Sequence, residues 1–189
     1  MKRKILSKLI EWKNKKNRKP LIVNGARQVG KTYILKEFGS HYYEKMAYVN
    51  CDKNKTLDKI FSQDYNISRI LLSLSAILHV NIEPENTLII FDEIQENPTV
   101  LNSLKYFCED ASQYHVAVAG SLLGISLHRD TSFPVGKVDM IKMYPMTFDE
   151  FLMAIDEQPL VDVLASKDFS IIDSLSVRLI DCLRQYYYV

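Results

Sequence analysis

The sequence predicts an α/β protein in which a mostly parallel, five-stranded β-sheet is covered by helices on both faces. From residue 20 onward, short β-rich runs alternate with longer segments of helical periodicity, and this alternation is typical of crossovers between parallel strands. The central run, residues 88–91, is continuously apolar, as expected for a strand that is buried on both faces. A glycine-containing loop at residues 25–32 joins the first strand to the first helix of the alternation.

The predicted elements can be placed in order along the chain. The strands are predicted at residues 21–24, 46–50, 88–91, 115–119 and 138–143. The helices between them are predicted at residues 30–38, 54–63, 66–80 and 98–108. Thr147 and Glu150 then have the spacing of a capping box, which predicts a helix through residue 154, and the remaining patterns are helical only. We therefore expect a core at 20–146 and a helical segment at 147–189 that begins a lid or second domain.

The N-terminal residues carry much of the positive charge of the chain. The protein as a whole has a net charge of +1, but residues 1–20 contain nine Lys or Arg and one acid, a net +8. Such a segment could contact an anionic partner, and nucleic acid stays open as a partner on this ground. We favour an amphipathic helix over residues 1–19 with a solvated lysine face, because apolar residues recur at helical spacing. These apolar residues are Ile5, Leu6, Leu9, Ile10 and Trp12.

Composition and cysteine usage predict a cytoplasmic protein with one buried core. The chain has 189 residues, of which 47% are hydrophobic and 25% charged, an ordinary globular composition. Its apolar runs are shorter than the ~20 residues of a membrane span, so we expect no membrane association. The cysteines, Cys51, Cys108 and Cys182, have neither the spacing of a zinc site nor that of a disulfide framework.

Residues 25–32 have the sequence of a nucleotide phosphate-binding loop. Gly25-Ala-Arg-Gln-Val-Gly30-Lys31-Thr32 fits the pattern GxxxxGK[ST] at every fixed position, between a predicted strand and a predicted helix. A chain of this length produces such a match by chance on the order of once in 200. Glycines allow backbone N–H groups to surround a β-phosphate, and the helix N-terminus adds positive potential. Lys31 would contact the β- and γ-phosphates, and the Thr32 hydroxyl would coordinate Mg²⁺. The expected nucleotide-binding residues are Gly25, Ala26, Arg27, Gln28, Val29, Gly30, Lys31 and Thr32.

The strand at 88–91 ends in two carboxylates, Asp92 and Glu93. We expect this strand to lie beside the phosphate-loop strand, so that its C-terminal end faces the γ-phosphate. Asp92 would then hold Mg²⁺ through a coordinated water, and Glu93 would be the base that orients and deprotonates the attacking water. The glutamate favours hydrolytic P-loop proteins over small GTPases.

Two further polar residues stand at predicted strand ends. Ser121 follows the fourth strand and is predicted to hydrogen-bond the γ-phosphate or the attacking water. Asn50 ends the second strand and could bond Glu93, holding it away from water until a partner docks. A simple cap of the strand end is the alternative for Asn50.

The motifs GARQVGKT, LIIFDEIQE, AVAGSLLG and PMTFDEFL, in this order, resemble those of the prokaryotic AAA-type ATPases that carry a C-terminal domain of unknown function. The resemblance implies an AAA core that uses ATP and Mg²⁺, with Lys31 and Thr32 in the phosphate loop, Asp92 and Glu93 as the acidic pair and Ser121 as the sensor. It also implies that a further C-terminal domain follows the present chain.

One position departs from this family. The family often has Gly-Arg where this chain has Gly136-Lys137, and lysine cannot offer the bidentate fork of arginine. Arg129 is the alternative candidate for an arginine that acts on a neighbouring subunit of a homo-oligomer.

Three functions are compatible with these residues. The first is an ATPase in which hydrolysis drives motion of an attached domain or partner, and Glu93 favours it because a pure binder needs no base. The second is a nucleotide-dependent switch on nucleic acid or protein with little turnover. The third, a small-molecule kinase, is less favoured because such enzymes use an arginine-rich lid, and Arg129 is the only arginine between Arg69 and Arg178.

The Lys31→Ala variant is expected to lose nucleotide binding while it keeps the fold, because Lys31 supplies the charge that opposes the phosphates. Titration with a fluorescent ATP analogue, beside a circular dichroism spectrum, measures both properties. A folded variant with unchanged affinity would contradict the assignment of the phosphate loop.

Overall fold

The computed structural model describes residues 3–121 and 133–188. The chain divides into two compact units, the larger spanning Ile5–Tyr144 and the smaller holding Pro145 onward together with the residues before Ile5. Within the described residues, no helix is long and apolar enough to cross a membrane. Arg129 lies outside the described residues.

The larger unit alternates strands and helices, as the sequence predicts. Its strands are β1 (Leu21–Gly25), β2 (Lys45–Asn50), β3 (Thr87–Asp92), β4 (His115–Gly120) and β5 (Asp139–Met143). Its helices are α1 (Ile5–Asn14), α2 (Lys31–Tyr42), α3 (Lys55–Phe61), α4 (Ile67–Leu78) and α5 (Pro98–Asp110), with a 3-10 turn at Ile94–Glu96. The predicted helices at 54–63 and 66–80 each include one residue too many at the start, because Asn54 and Asn66 are the N-caps.

The five strands form one sheet in the order β2-β3-β4-β1-β5, and every pairing is parallel. The predicted fold class is therefore confirmed. The expected adjacency of β3 and β1 is wrong, since β4 lies between them and pairs with both. Because β3 and β4 are both completely buried apolar strands, their sequences fit a central position equally well, and periodicity alone does not decide their order.

Both faces of the sheet are buried, which explains the continuous apolar run of β3. Leu88 and Ile90 pack on one face with residues of α1 and α2. Ile89 and Phe91 pack on the opposite face with residues of α3, α4 and α5. Since successive side chains of a strand point to opposite faces, each of the residues 88–91 meets a hydrophobic layer.

Helix α1 belongs to the core of the larger unit. Its Ile5, Leu9 and Trp12 side chains are buried in the same cluster as α2, and the Trp12 Nε1 donates to the Lys19 carbonyl at 2.8 Å. Lys8 on the same helix is exposed to solvent. The helix thus buries an apolar face and exposes Lys8, and it is shorter than the expected 1–19 because it ends at Asn14.

The smaller unit contains the helices α6 (Phe148–Ala154), α7 (Gln158–Ser166), α8 (Phe169–Ser174) and α9 (Ser176–Tyr186). Helix α6 opens with the predicted capping box, in which the Glu150 Oε2 accepts from the Thr147 N–H at 3.0 Å. Burial would raise the pKa of Glu150, but bonds from the Thr147 and Lys4 N–H groups and the charge of Arg3 lower it below its usual value. A small apolar cluster of Leu152, Leu160, Leu179 and Cys182 holds these helices together.

A Leu9→Ala variant is expected to lower the free energy of unfolding by about 2–5 kcal/mol, because the fully buried leucine would leave a cavity under α1. Lys8→Ala is the matched control on the exposed face of the same helix and should change it by less than about 0.5 kcal/mol. Urea unfolding measures both. Equal stability of the two variants would show that α1 does not pack on the sheet.

Candidate nucleotide-binding site

The loop between β1 and α2 has a backbone that depends on left-handed residues. Gln28 has φ 64° and Gly30 has φ 91°, and α2 begins directly after Gly30. At Gly25, an added Cβ would lie only 2.3 Å from the Met143 carbonyl oxygen on the neighbouring strand β5. The first glycine of the motif therefore allows close approach of two strands, and the second allows the turn into the helix.

The Lys31 ammonium lies against the inner side of this loop. Its Nζ donates to the Ala26 carbonyl at 2.6 Å and to the Gly25 carbonyl at 3.1 Å. Burial lowers the pKa of Lys31 from its ordinary value, and the carboxylates of Glu93 and Asp92 oppose this effect. The lysine is thus placed between the loop and the two acids at the end of β3.

Asp92 is a buried carboxylate with three hydrogen-bond donors. Its Oδ2 accepts from the Thr32 Oγ1 at 2.8 Å and from the Tyr48 hydroxyl at 2.9 Å, while its Oδ1 accepts from the Glu93 N–H at 3.0 Å. Burial, followed by the bond to Asp92, raises the pKa of Tyr48 to about 12. The structure thus brings together Thr32 and Asp92, which the sequence separates by sixty positions.

The donor set around Thr32 and Asp92 fits Mg²⁺. Magnesium prefers oxygen ligands and is usually held by one or two carboxylates together with substrate phosphates and water. Among the described residues, no group of three or more His, Cys, Asp or Glu side chains could hold a metal alone. A hydroxyl and one carboxylate beside a phosphate loop are the protein ligands that a nucleotide-bound magnesium requires.

Glu93 follows Asp92 in a left-handed conformation, with φ 51°, and is exposed. Its Oε2 accepts a hydrogen bond from the Gln95 Nε2 at 2.5 Å. The Asn50 side chain, for which a bond to Glu93 and a cap of the strand end were both open, accepts from the Asp52 N–H at 2.9 Å. It stabilises the turn at the end of β2, as in the alternative interpretation of Asn50, because that turn uses its amide oxygen locally.

One cavity of about 830 Å³ connects these groups. Ser121 lines it at the end of β4, and its backbone N–H donates to the Gln95 Oε1 at 3.2 Å. Lys31, Thr32, Glu93 and Asn50 line the same cavity. The cavity therefore brings the phosphate loop together with the C-terminal ends of β2, β3 and β4, the edge at which parallel sheets bind ligands.

Comparison with known families decides the kind of site. A family profile described as an AAA domain matches residues 17–152, well over half of the chain. This chain belongs to the AAA domain family. The AAA domain is an ATPase-type, nucleotide-binding P-loop domain, and its match supports the expected AAA-type N-terminal part. A search of curated proteins finds no match.

Sequence reasoning missed two residues that the structure brings to the candidate site, Tyr48 and Gln95. Tyr48 lies on β2 opposite Ile90 of β3, and the parallel register of these strands is the only signal that would have brought it near Asp92. Gln95 resembles an ordinary polar turn residue in the sequence, yet its side chain is only 5% exposed. Its burial depends on the neighbouring end of β4, which the sequence does not reveal.

Lys137 stands where the resembled family often has arginine. Its ammonium pairs with the Glu109 carboxylate at 2.8 Å. Lys137 is therefore engaged in an ion pair with a residue of its own AAA domain.

Gly25→Ala is expected to destabilise the protein by more than about 2 kcal/mol, because its Cβ would overlap a backbone carbonyl that cannot rotate away. Gly136→Ala is the matched control, since its Cβ would meet nothing within 4 Å and only its φ of 73° is unfavourable. We expect Gly136→Ala to lower the free energy of unfolding by about 1–2 kcal/mol. Chemical unfolding without nucleotide measures both variants, and a smaller effect at Gly25 would contradict the close approach to β5.

Proposed function

We propose that this AAA domain binds ATP with Mg²⁺ and hydrolyses it to drive conformational change in an attached domain or partner. The observation that carries the proposal is the common cavity of Lys31, Thr32 and Glu93, with Asp92 bonded to Thr32. A phosphate-binding cation, a magnesium ligand set and a carboxylate that faces the cavity are the three parts that phosphoryl transfer to water requires.

Each residue has a distinct task in this proposal. The N–H groups of the loop and the Lys31 ammonium bind the β- and γ-phosphates, and Thr32 and Asp92 would hold the metal, Asp92 through a coordinated water. The metal neutralises charge on the phosphate oxygens when it is bound. The Tyr48 hydroxyl orients the Asp92 carboxylate through its 2.9 Å bond.

Glu93 removes the proton from the attacking water in this mechanism. Because Gln95 binds its Oε2, the proposal assigns its Oε1 to the attacking water. Ser121, at the end of the neighbouring strand β4, donates its hydroxyl to the γ-phosphate or to the same water. The exposure of Glu93 to the cavity supports this assignment, since a base must reach its water directly.

A nucleotide-dependent switch with little turnover is the second candidate function. The bond between Gln95 and Glu93 favours it if this bond holds the carboxylate away from the water. Multiple-turnover phosphate release, measured with and without DNA, distinguishes the two functions. Repeated turnover supports the ATPase, and a single slow turnover supports the switch.

The Glu93→Gln variant is expected to retain ATP and Mg²⁺ binding and to lose turnover by about 10²–10⁴-fold, because the amide keeps the size of the side chain but cannot accept a proton. Steady-state phosphate release and ATP titration measure the two properties. Glu96→Gln is the matched control, since Glu96 lines the same cavity and undergoes the same charge change. Wild-type turnover in Glu93→Gln would show that the base lies elsewhere.

A further inference from the structure

The Gln95 side chain joins the ends of two strands at the site. Its Nε2 donates to the Glu93 Oε2 at 2.5 Å, and its Oε1 accepts from the Ser121 N–H at 3.2 Å. The orientation of the amide follows from chemistry, because a backbone N–H needs an acceptor and a carboxylate needs a donor. One buried amide thus links the carboxylate after β3 to the backbone after β4.

The turn that carries Gln95 is fixed on both sides. Ile94 is fully buried in the core below it. Asn97 accepts from the Val100 N–H at 3.1 Å and donates to the Asp58 Oδ1 at 2.7 Å, which secures the start of α5. Gln95 therefore lies on a short, anchored segment, and its amide has little freedom to leave Glu93 and Ser121.

We propose that Gln95 is the positioning residue for Glu93 and that it couples the orientation of this carboxylate to the Ser121 end of β4. The proposal rests on the proposed function, since it takes Glu93 as the base for ATP hydrolysis. In many active sites, the base that activates a nucleophile is itself oriented by a third group. Here the nucleophile is water, the base is Glu93 and the third group is Gln95. The bond to a charged carboxylate is also stronger than a bond between neutral groups.

The two bonds of the amide make this role different from simple anchoring. The bond at Oε2 restricts rotation of the carboxylate and leaves Oε1 for the attacking water. Ser121 lines the cavity, so a contact between its hydroxyl and a terminal phosphate would move the same residue whose N–H Gln95 binds. A nucleotide with a γ-phosphate would then set the position of the base through Ser121 and Gln95.

The test replaces the amide while it keeps the volume of the side chain. Gln95→Met is expected to lower kcat by about 10–100-fold, a range typical for the loss of a supporting hydrogen bond around a reactive group. The dissociation constant for ATP should not change, because Gln95 does not line the cavity. Gln113→Met is the matched control, since Gln113 is exposed and lies outside this site.

A second comparison separates positioning from a structural role. In the Glu93→Gln background, Gln95→Met should cause no further loss of the residual single-turnover rate, because residues that act as one unit are not additive. A structural role predicts the same fold loss in both backgrounds, together with weaker ATP binding. Equal losses would therefore overturn the proposal.

Gln95→Glu replaces the amide donor and at the same time adds a negative charge beside Glu93. This variant keeps an acceptor for the Ser121 N–H but places a carboxylate against Glu93 in place of the amide donor, so kcat should again fall. If Gln95→Met does not fold, the kcat of Gln95→Glu is used to test the positioning role of Gln95. Wild-type kcat in either Gln95 variant, beside an inactive Glu93→Gln, overturns only the positioning role. Wild-type kcat in Glu93→Gln overturns the proposed function, and the role of Gln95 with it.

Discussion

The position of β4 between β1 and β3 is the constraint on which the whole site depends. Neighbouring strands lie about 4.8 Å apart, so the phosphate-loop strand and the strand that ends in Asp92 are separated by roughly 10 Å. Thr32, on the first turn of α2, reaches across this gap and bonds Asp92 at 2.8 Å. The end of β4 lies between them, and this places Ser121 among the groups that face the cavity. A sheet with β1 and β3 as neighbours would leave no position for such a residue.

The site also concentrates unfavourable backbone conformations. Gln28 and Glu93 have positive φ although neither is glycine, and each such residue costs of order 1–3 kcal/mol. Both follow strands in which every residue is buried: Glu93 comes directly after β3, and Gln28 lies three residues after the end of β1. The packing of these strands on both sheet faces holds the loops in place. The stability of the core thus offsets the cost of these two conformations.

Hydrogen bonds around the acidic pair link three strands. Tyr48 connects β2 to Asp92, and Gln95 connects the end of β3 to the residue after β4. Thr32 adds the start of α2 to the same network. Displacement of any one strand end would therefore change the surroundings of the acidic pair.

The sequence alone determined the elements and most of the candidate site. The sequence pattern located all five strands to within one residue at either end. The three central strands, β1, β3 and β4, are buried along their whole length, and such strands have a distinctive apolar composition. The phosphate loop and the two acids were identifiable because their residue types and spacing follow from phosphate and magnesium chemistry. Only the tertiary structure decided the order of β3 and β4, the partner of Glu93 and the participation of Tyr48 and Gln95. These features depend on which strand ends become neighbours. The local sequence pattern of a strand does not show which distant strand it pairs with.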